Sequence, residues 1–227
     1  MTKYIAIISG KGGVGKTTTA INLGFALNRI GRDVTIVDCF SSSLKEFLGL
    51  NVKSGLHDVL AGKKEIAEAT YVHPSGVKFV PSHADVFEKK KNLSQALLEL
   101  YGKSEIVLLD GISGYGNDMK EMLSVADDVI LISGPDELSA KATMPLINAA
   151  EHHGATVLGI IVNNHSNSRV ESISALKPYG INPISIIPFD GNIPRSFSAK
   201  RPVIISYPGS KSSIEYLKLA GLFWQNG

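Results

Sequence analysis

Short apolar runs alternate along this chain with segments whose apolar residues recur at helical spacing. Such runs, rich in Val and Ile, are typical of strands buried on both faces of a sheet. We predict strands at residues 3–8, 33–38, 77–81, 105–110, 128–133, 157–163 and 183–188. Helices are predicted between most of them, including residues 17–28, 88–101, 138–152 and 212–224. Pro145 is expected to kink or divide the helix at residues 138–152. The alternation predicts an α/β fold with a mostly parallel central sheet and helices on both faces.

Composition limits the possible organisation of the chain. Its 227 residues are 44% hydrophobic, which suits one domain over residues 1–227 with a substantial core. The 23 basic and 21 acidic residues leave a formal net charge of +2, which favours neither nucleic acid nor membranes. We find no leader pattern and no apolar run of about 18 residues, so we expect a cytoplasmic protein. The single cysteine, Cys39, excludes an internal disulfide.

A loop with four glycines, SGKGGVGKTTTA at residues 9–20, joins the first predicted strand to the first predicted helix. Residues 10–17 match GxxxxGK[ST], the P-loop pattern, in which backbone N–H groups and a helix N-terminus bind phosphate. In this pattern Lys16 neutralises β- and γ-phosphate oxygens, and the Thr17 hydroxyl reaches Mg²⁺. The residues predicted to bind the nucleotide here are Gly12, Gly13, Val14, Gly15, Lys16, Thr17 and Thr18.

Two acidic residues end predicted strands beside this loop. Asp38 ends the strand at residues 33–38, and Asp110 ends the strand at residues 105–110. Carboxylates at the carboxyl ends of parallel strands can join the Mg²⁺ shell. An aspartate in this position also commonly begins a turn or caps a helix, so both roles stay open. We favour the metal role for each, and more strongly for Asp110.

A second lysine, Lys11, precedes the phosphate-binding glycines, giving KGGVGKT at residues 11–17. This stretch resembles the deviant Walker A motif of the MinD/ParA family of P-loop ATPases. Similar segments follow in the same order, among them GLHDVLAG at residues 55–62, VADDVILISGPDELS at residues 125–139 and GIIVNN at residues 159–164. The resemblance covers nearly the whole chain and implies an ATPase that forms a homodimer when ATP is bound.

The resemblance implies roles for individual residues. Lys11 corresponds to the lysine that reaches the nucleotide of the other subunit, so a cation supplied by the partner supports phosphoryl transfer. Asp38 matches the first acidic residue of switch I, and Asp110 matches the Walker B aspartate. The residues expected to act in catalysis are therefore Lys11, Lys16 and Asp38, and those expected to hold the metal are Thr17, Asp38 and Asp110.

The resemblance also implies how the base is bound. Asn163 matches the family's adenine-contacting asparagine, with Asn164 as a competing candidate, and an amide can both donate to and accept from a base edge. Pro188 and Asp190 belong to a loop, PFD, that matches the segment closing over adenine. The guanine-selective pattern NKxD is missing from NNHS at residues 163–166. The expected cofactors are ATP or ADP with Mg²⁺.

The chain departs from the family pattern in the loop after Asp38. Family members usually read DxD, whereas Phe40 stands here at the second aspartate, and the loop is about two residues shorter. After Asp110 the usual proline-containing DxPxG is replaced by DGISG. Phenylalanine cannot orient or deprotonate a water molecule, and Ser41, Ser42 and Ser43 can position one only weakly. We therefore expect slow or partner-stimulated hydrolysis.

The sequence is compatible with several functions. The favoured one is a nucleotide-dependent dimerising switch that positions or regulates an unidentified protein partner, of the kind used in cell division. A DNA-partitioning ATPase needs a basic surface, for which the candidates are Arg169, Lys177, Arg195, Lys200, Arg201 and Lys211. A hydrolysis-deficient scaffold is also open. An iron–sulfur carrier is rejected, because such a protein binds its cluster through paired cysteines and this chain has only Cys39. Residues 212–224 fit a core helix better than an interfacial one, and no membrane-binding tail is evident.

Overall fold

The computed structural model describes residues 1–49, 51–82, 89–163 and 174–224. Asn164 and Arg169, named above as candidates, lie outside these ranges. The strands are β1 (Lys3–Ser9), β2 (Val34–Asp38), β3 (Tyr71–Val72), β4 (Lys78–Val80), β5 (Ile106–Ser113), β6 (Asp128–Ser133), β7 (Thr156–Asn163) and β8 (Ser185–Ile187). The helices are α1 (Lys16–Arg29), α2 (Ser43–Leu48), α3 (Leu56–Leu60), α4 (Leu93–Leu97), α5 (Asn117–Leu123), α6 (Glu137–His152), α7 (Asn192–Ser198), α8 (Val203–Ser206) and α9 (Lys211–Trp224).

The strands form one sheet in the order β3-β4-β2-β5-β1-β6-β7-β8. All neighbouring strands run parallel except β3 and β4. This confirms the predicted α/β fold with its mostly parallel sheet. The pattern missed β3, because a strand of two residues at a sheet edge has too few positions to show alternation.

Helices cover both faces of the sheet, and successive residues of β1 show the division. Ala6 and Ile8 pack in one buried cluster, with residues of α5 and α6, while Ile5 and Ile7 pack in the other, with residues of α1 and α9. Because consecutive side chains of a strand point to opposite faces, a strand covered on both sides needs a continuous apolar run. The P-loop and the ends of β2 and β5 therefore rest on a rigid core.

Two predicted helices differ from the structure. Helix α6 continues through Pro145 and is not divided there. Buried Ala140, Leu146 and Ala150 pack α6 against the core on both sides of the proline, which offsets the lost backbone hydrogen bond. The helix predicted at residues 88–101 is shorter, and α4 begins only at Leu93.

The later start of α4 has a local cause at Asn92. Asn92 Oδ1 accepts a hydrogen bond from Gln95 N at 2.8 Å, and Gln95 Oε1 accepts one from Asn92 N at 2.9 Å. This capping box fixes the helix start, so Lys89, Lys90 and Lys91 precede the helix.

The last helix packs on the core as predicted. Tyr216, Leu219 and Ala220 of α9 are buried with residues of α1, while Leu222 remains 54% exposed. Within the described ranges, none of the helices has both the length and the apolar character needed to cross a membrane.

Candidate functional site

The glycine-rich loop connects β1 to α1 at the carboxyl edge of the sheet. Gly13 and Gly15 have positive φ angles of 75° and 91°, which side chains other than glycine rarely adopt. A Cβ at Gly15 would also lie 2.5 Å from Asn163 Nδ2. Gly15 is the N-cap of α1, and it provides no side chain to accept from the first N–H groups of the helix. These N–H groups and the helix dipole favour an anion at this position.

Lys16 is held in place by hydroxyl groups at the ends of two strands. Its Nζ donates to Ser9 Oγ at 3.0 Å and to Ser113 Oγ at 2.5 Å. Burial lowers the pKa of Lys16, and nearby Asp110 opposes this change. The sequence pattern did not identify Ser113, because the predicted strand stopped at Asp110 whereas β5 continues to Ser113.

Asp110 is a fully buried acidic residue of β5. It lies beside Asp38 in the register of β5 and β2. The Thr17 side chain lies close to the Asp110 carboxyl group, but no group in the part of the chain that the structure describes makes a well-formed hydrogen bond to either of its oxygens. Burial raises the pKa of Asp110 to about 7, helped by the Asp38 charge and opposed by Thr17 and Lys16. A buried, unpartnered carboxylate beside a phosphate-binding loop fits the shell of a divalent cation.

Asp38 has a different environment. Its Oδ1 accepts hydrogen bonds from Ser41 N and Ser41 Oγ, both at 2.8 Å, and its Oδ2 accepts one from Leu44 N at 3.1 Å. The carboxylate thus organises the turn after β2 and the first residues of α2. This is the turn-forming role left open above, and the metal and catalytic roles of Asp38 stay predictions.

Two cavities adjoin at Gly15. One, of about 500 Å³, has a mixed lining whose polar residues include Lys16, Thr17, Ser41, Ser43 and Ser113. The other, of about 480 Å³, has a largely apolar lining. The residues that line the second cavity are Gly15, Thr18, Phe47, Asn163, Ile187, Pro188, Phe189, Asp190, Ile193, Pro194, Phe197, Ser198 and Tyr216. We call them the phosphate cavity and the base cavity, after the chemistry that their linings favour.

Asn163 lies at the end of β7, beneath the loop. Its Nδ2 donates to Val14 O at 2.6 Å, and lies 3.4 Å from Gly15 O and 3.3 Å from Thr19 Oγ1. Its Oδ1 is buried and has no hydrogen-bond partner among the described residues. The structure therefore brings Asn163 to the base cavity together with Pro188 and Asp190.

Asp190 joins the base cavity to the start of α9. Its Oδ2 accepts from Ser212 Oγ at 2.7 Å, and its Oδ1 accepts from Asn192 N at 2.9 Å. Burial on its own would raise the pKa of Asp190, but the hydrogen bonds from Ser212, Asn192 and Ser210 outweigh it and lower the pKa to about 2. Asp190 is thus a charged anchor for the loop at the cavity wall.

Lys11 and Phe40 lie outside the polar lining of the phosphate cavity. Lys11 Nζ is 3.7 Å from Asp136 Oδ1, and about half of each side chain is exposed. Phe40 packs against the core, with Lys89 Nζ 4.8 Å from the centre of its ring. Lys89 also contacts Glu121 at 2.8 Å and Asp118 at 3.3 Å on α5. The sequence pattern did not indicate this contact between Lys89 and the loop after β2.

Comparisons with known proteins identify the family and the relatives of this chain. Residues 5–203 match the model of the CobQ/CobB/MinD/ParA nucleotide binding domain. An uncharacterized ATP-binding protein of Methanocaldococcus jannaschii is 32% identical, over 97% of this chain and 87% of its own length. The antiactivator FleN of Pseudomonas aeruginosa is 27% identical, over 96% of this chain and 85% of its own length.

A solved structure shows the same fold. The septum site-determining protein MinD of Pyrococcus horikoshii, complexed with Mg-ADP, has a TM-score of 0.91 and 29% identity. The match covers 100% of this chain and 97% of the other. The predicted fold is therefore confirmed in a solved structure.

Proposed function

Because the chain belongs to the family of CobQ/CobB/MinD/ParA nucleotide-binding domains, we propose that it is a Mg²⁺-dependent ATPase that dimerises on binding ATP and positions or regulates a protein partner. The observation that carries this proposal is the pair of adjoining cavities at Gly15, one largely apolar and one in which Lys16 and several hydroxyl groups join apolar residues. A nucleotide has the same two-part character, with an apolar base and a charged phosphate chain. Its relatives include an ATP-binding protein, and MinD of P. horikoshii is complexed with Mg-ADP.

Each part of the nucleotide has residues to receive it. The N–H groups of residues 12–18 and the Lys16 ammonium bind the phosphates, and Asn163 contacts the base with Pro188 and Asp190 at the cavity wall. Thr17, Asp38 and Asp110 hold the metal, and the unpartnered Asp110 oxygens fit that role. Bound Mg²⁺ would neutralise phosphate charge during transfer. Within the described residues no group of three or more His, Cys, Asp or Glu could hold a metal ion alone. Phosphate oxygens of a bound nucleotide would supply further ligands.

The free chain offers fewer groups for ATP hydrolysis than for nucleotide binding. Phe40 occupies the position of the family's second switch I aspartate, and the Asp38 carboxylate already accepts hydrogen bonds from Ser41 and Leu44. A water molecule therefore receives little help from this loop in the free chain. We propose slow turnover that a partner accelerates, with Lys11 acting on the nucleotide of the second copy.

Size-exclusion chromatography with Mg·ATP or Mg·ADP tests the dimerising switch. Wild type should elute as a dimer with ATP and as a monomer with ADP. Lys11→Ala should remain monomeric with both nucleotides, because the cation supplied to the partner is lost. Lys63→Ala, which alters another exposed lysine, serves as the matched control and should behave as wild type. A wild-type protein that stays monomeric with saturating ATP contradicts the proposal.

A hydrolysis-deficient scaffold is the second candidate, and the environment of Asp38 and Phe40 favours it. It predicts an ATP-dependent dimer that persists for hours without release of phosphate, even when the cellular partner is added. Phosphate release measured on the isolated dimer separates the two functions.

A further inference from the structure

Two residues that line the base cavity each carry a buried polar atom. One is Asn163 Oδ1, and the other is the hydroxyl of Tyr216, a fully buried residue of α9. The Thr19 side chain lies close to both residues, but neither atom makes a well-formed hydrogen bond among the residues that the structure describes. Buried polar groups in native proteins are nearly always hydrogen-bonded, and an unpaired one destabilises the folded state. Two in one cavity indicate a ligand that supplies both partners.

The hydrogen-bonding roles of these two atoms are settled by their surroundings. Burial raises the pKa of Tyr216 to about 12, with Thr19 opposing the change, so the hydroxyl keeps its proton at neutral pH and can donate. The Asn163 amide cannot rotate freely, because its Nδ2 already donates to Val14 O at 2.6 Å. Its Oδ1 is therefore an acceptor. The ligand must offer Asn163 a donor and Tyr216 an acceptor.

Adenine carries this combination on one edge. Its exocyclic amino group is a donor, and the ring nitrogens on either side of it are acceptors. Guanine and hypoxanthine place a carbonyl oxygen where adenine has the amino group, and that oxygen would face Asn163 Oδ1, another acceptor. A site whose buried polar groups are left unpaired by the wrong ligand discriminates strongly against it.

We propose that Tyr216 is a specificity-determining residue, whose hydroxyl donates to a ring nitrogen of adenine while Asn163 Oδ1 accepts from the amino group. This inference rests on the proposed function and deepens it, since it adds a base-reading residue from α9 to the loop residues predicted from the sequence. The apolar lining of the same cavity, which includes Phe47 and Ile187, suits the faces of a purine.

Calorimetric titration of wild type and Tyr216→Phe with ADP and with inosine diphosphate tests the proposal. Tyr216→Phe should bind ADP about threefold to tenfold more weakly, the effect of one neutral hydrogen bond. Wild type should bind inosine diphosphate more weakly than ADP. The melting temperature of the nucleotide-free variant should stay close to that of wild type, because the removed hydroxyl makes no well-formed hydrogen bond in the free chain.

Tyr71→Phe is the matched control. The Tyr71 hydroxyl accepts hydrogen bonds from Lys53 N at 2.8 Å and Ser54 N at 3.1 Å, away from both cavities. This variant should melt at a lower temperature than wild type and bind ADP with unchanged affinity. The opposite pattern, a lower melting temperature for Tyr216→Phe with unchanged ADP affinity, would show a structural tyrosine and overturn the proposal.

A remaining outcome separates this inference from the proposed function. A wild-type protein that binds no ADP, and resembles Lys16→Ala in this respect, overturns both. A different result overturns only the base-reading role of Tyr216. In that case wild type binds ADP tightly but binds inosine diphosphate equally well, and Tyr216→Phe binds ADP with unchanged affinity.

Discussion

The base cavity and the phosphate cavity meet at Gly15 but differ in how far the free chain has prepared them. On the base side, Asn163 is oriented by Val14, and Asp190 is anchored by Ser212, so the cavity walls are in place. On the phosphate side, Lys16 is likewise held by Ser9 and Ser113. The loop after β2 is different, because Asp38 is engaged with its own turn and Phe40 packs beneath Lys89.

This difference follows from where the residues lie. The binding groups stand at the ends of buried strands or on the loop that opens α1, and the core fixes their positions. The groups expected to act on water lie on a short loop whose polar atoms bond to one another. We therefore propose that nucleotide binding and turnover are separable properties of this chain.

Asp110→Asn should have the largest effect on stability. The pKa of Asp110 is raised from the ordinary 3.8 to about 7, so between these pH values the folded chain binds more protons at this site than the unfolded chain. Its contribution to the free energy of unfolding therefore falls as the pH rises through this window, by up to about 4 kcal/mol. In Asp110→Asn the side chain does not titrate, so this fall in the free energy of unfolding should be absent. Denaturant unfolding at pH 5 and pH 8, with EDTA and without nucleotide, measures the difference.

The control for this prediction is Asp118→Asn, which alters a half-exposed aspartate on α5. Its unfolding free energy should follow the pH dependence of wild type. If wild type and Asp110→Asn show parallel pH dependence, the environment assigned to Asp110 is wrong.

Lys16→Ala should have the next largest effect, and on binding. Loss of a charge-assisted contact to phosphate should weaken ADP binding on the order of 100-fold. Lys11→Ala should leave ADP affinity within about twofold, since Lys11 is half exposed and paired only loosely with Asp136. Calorimetry with Mg·ADP compares the two lysines. Equal losses would show that Lys11 serves its own nucleotide.

The sequence predicted the fold and the strand, loop and helix around residues 9–20, because both depend on local pattern. The strand at residues 128–133 has the predicted bounds, and α1 differs by one residue at each end. Contacts between distant segments carry no such pattern. The Lys16–Ser113 hydrogen bond, the Lys89–Phe40 contact and the place of Tyr216 in the base cavity each join residues far apart in the chain.

Lys89→Ala should have the smallest effect. It tests whether the loop after β2 is independent of the residues predicted to bind the nucleotide. The variant loses the contact over Phe40 and the partly exposed ion pair with Glu121, which together should cost about 1 kcal/mol in the free energy of unfolding. ADP affinity should not change, because Lys89 lines neither cavity. Chemical denaturation and calorimetry, with Lys63→Ala as control, measure both quantities. A tenfold loss of ADP affinity would mean that the sides are coupled.

Single-turnover hydrolysis of bound ATP by the purified protein measures whether nucleotide binding and turnover are separate. We expect wild type to bind Mg·ATP tightly and to hydrolyse it slowly, and Phe40→Asp to hydrolyse it about tenfold faster or more, because a carboxylate can orient the attacking water. A wild type that already turns over rapidly, at a rate that Phe40→Asp does not raise, contradicts the account.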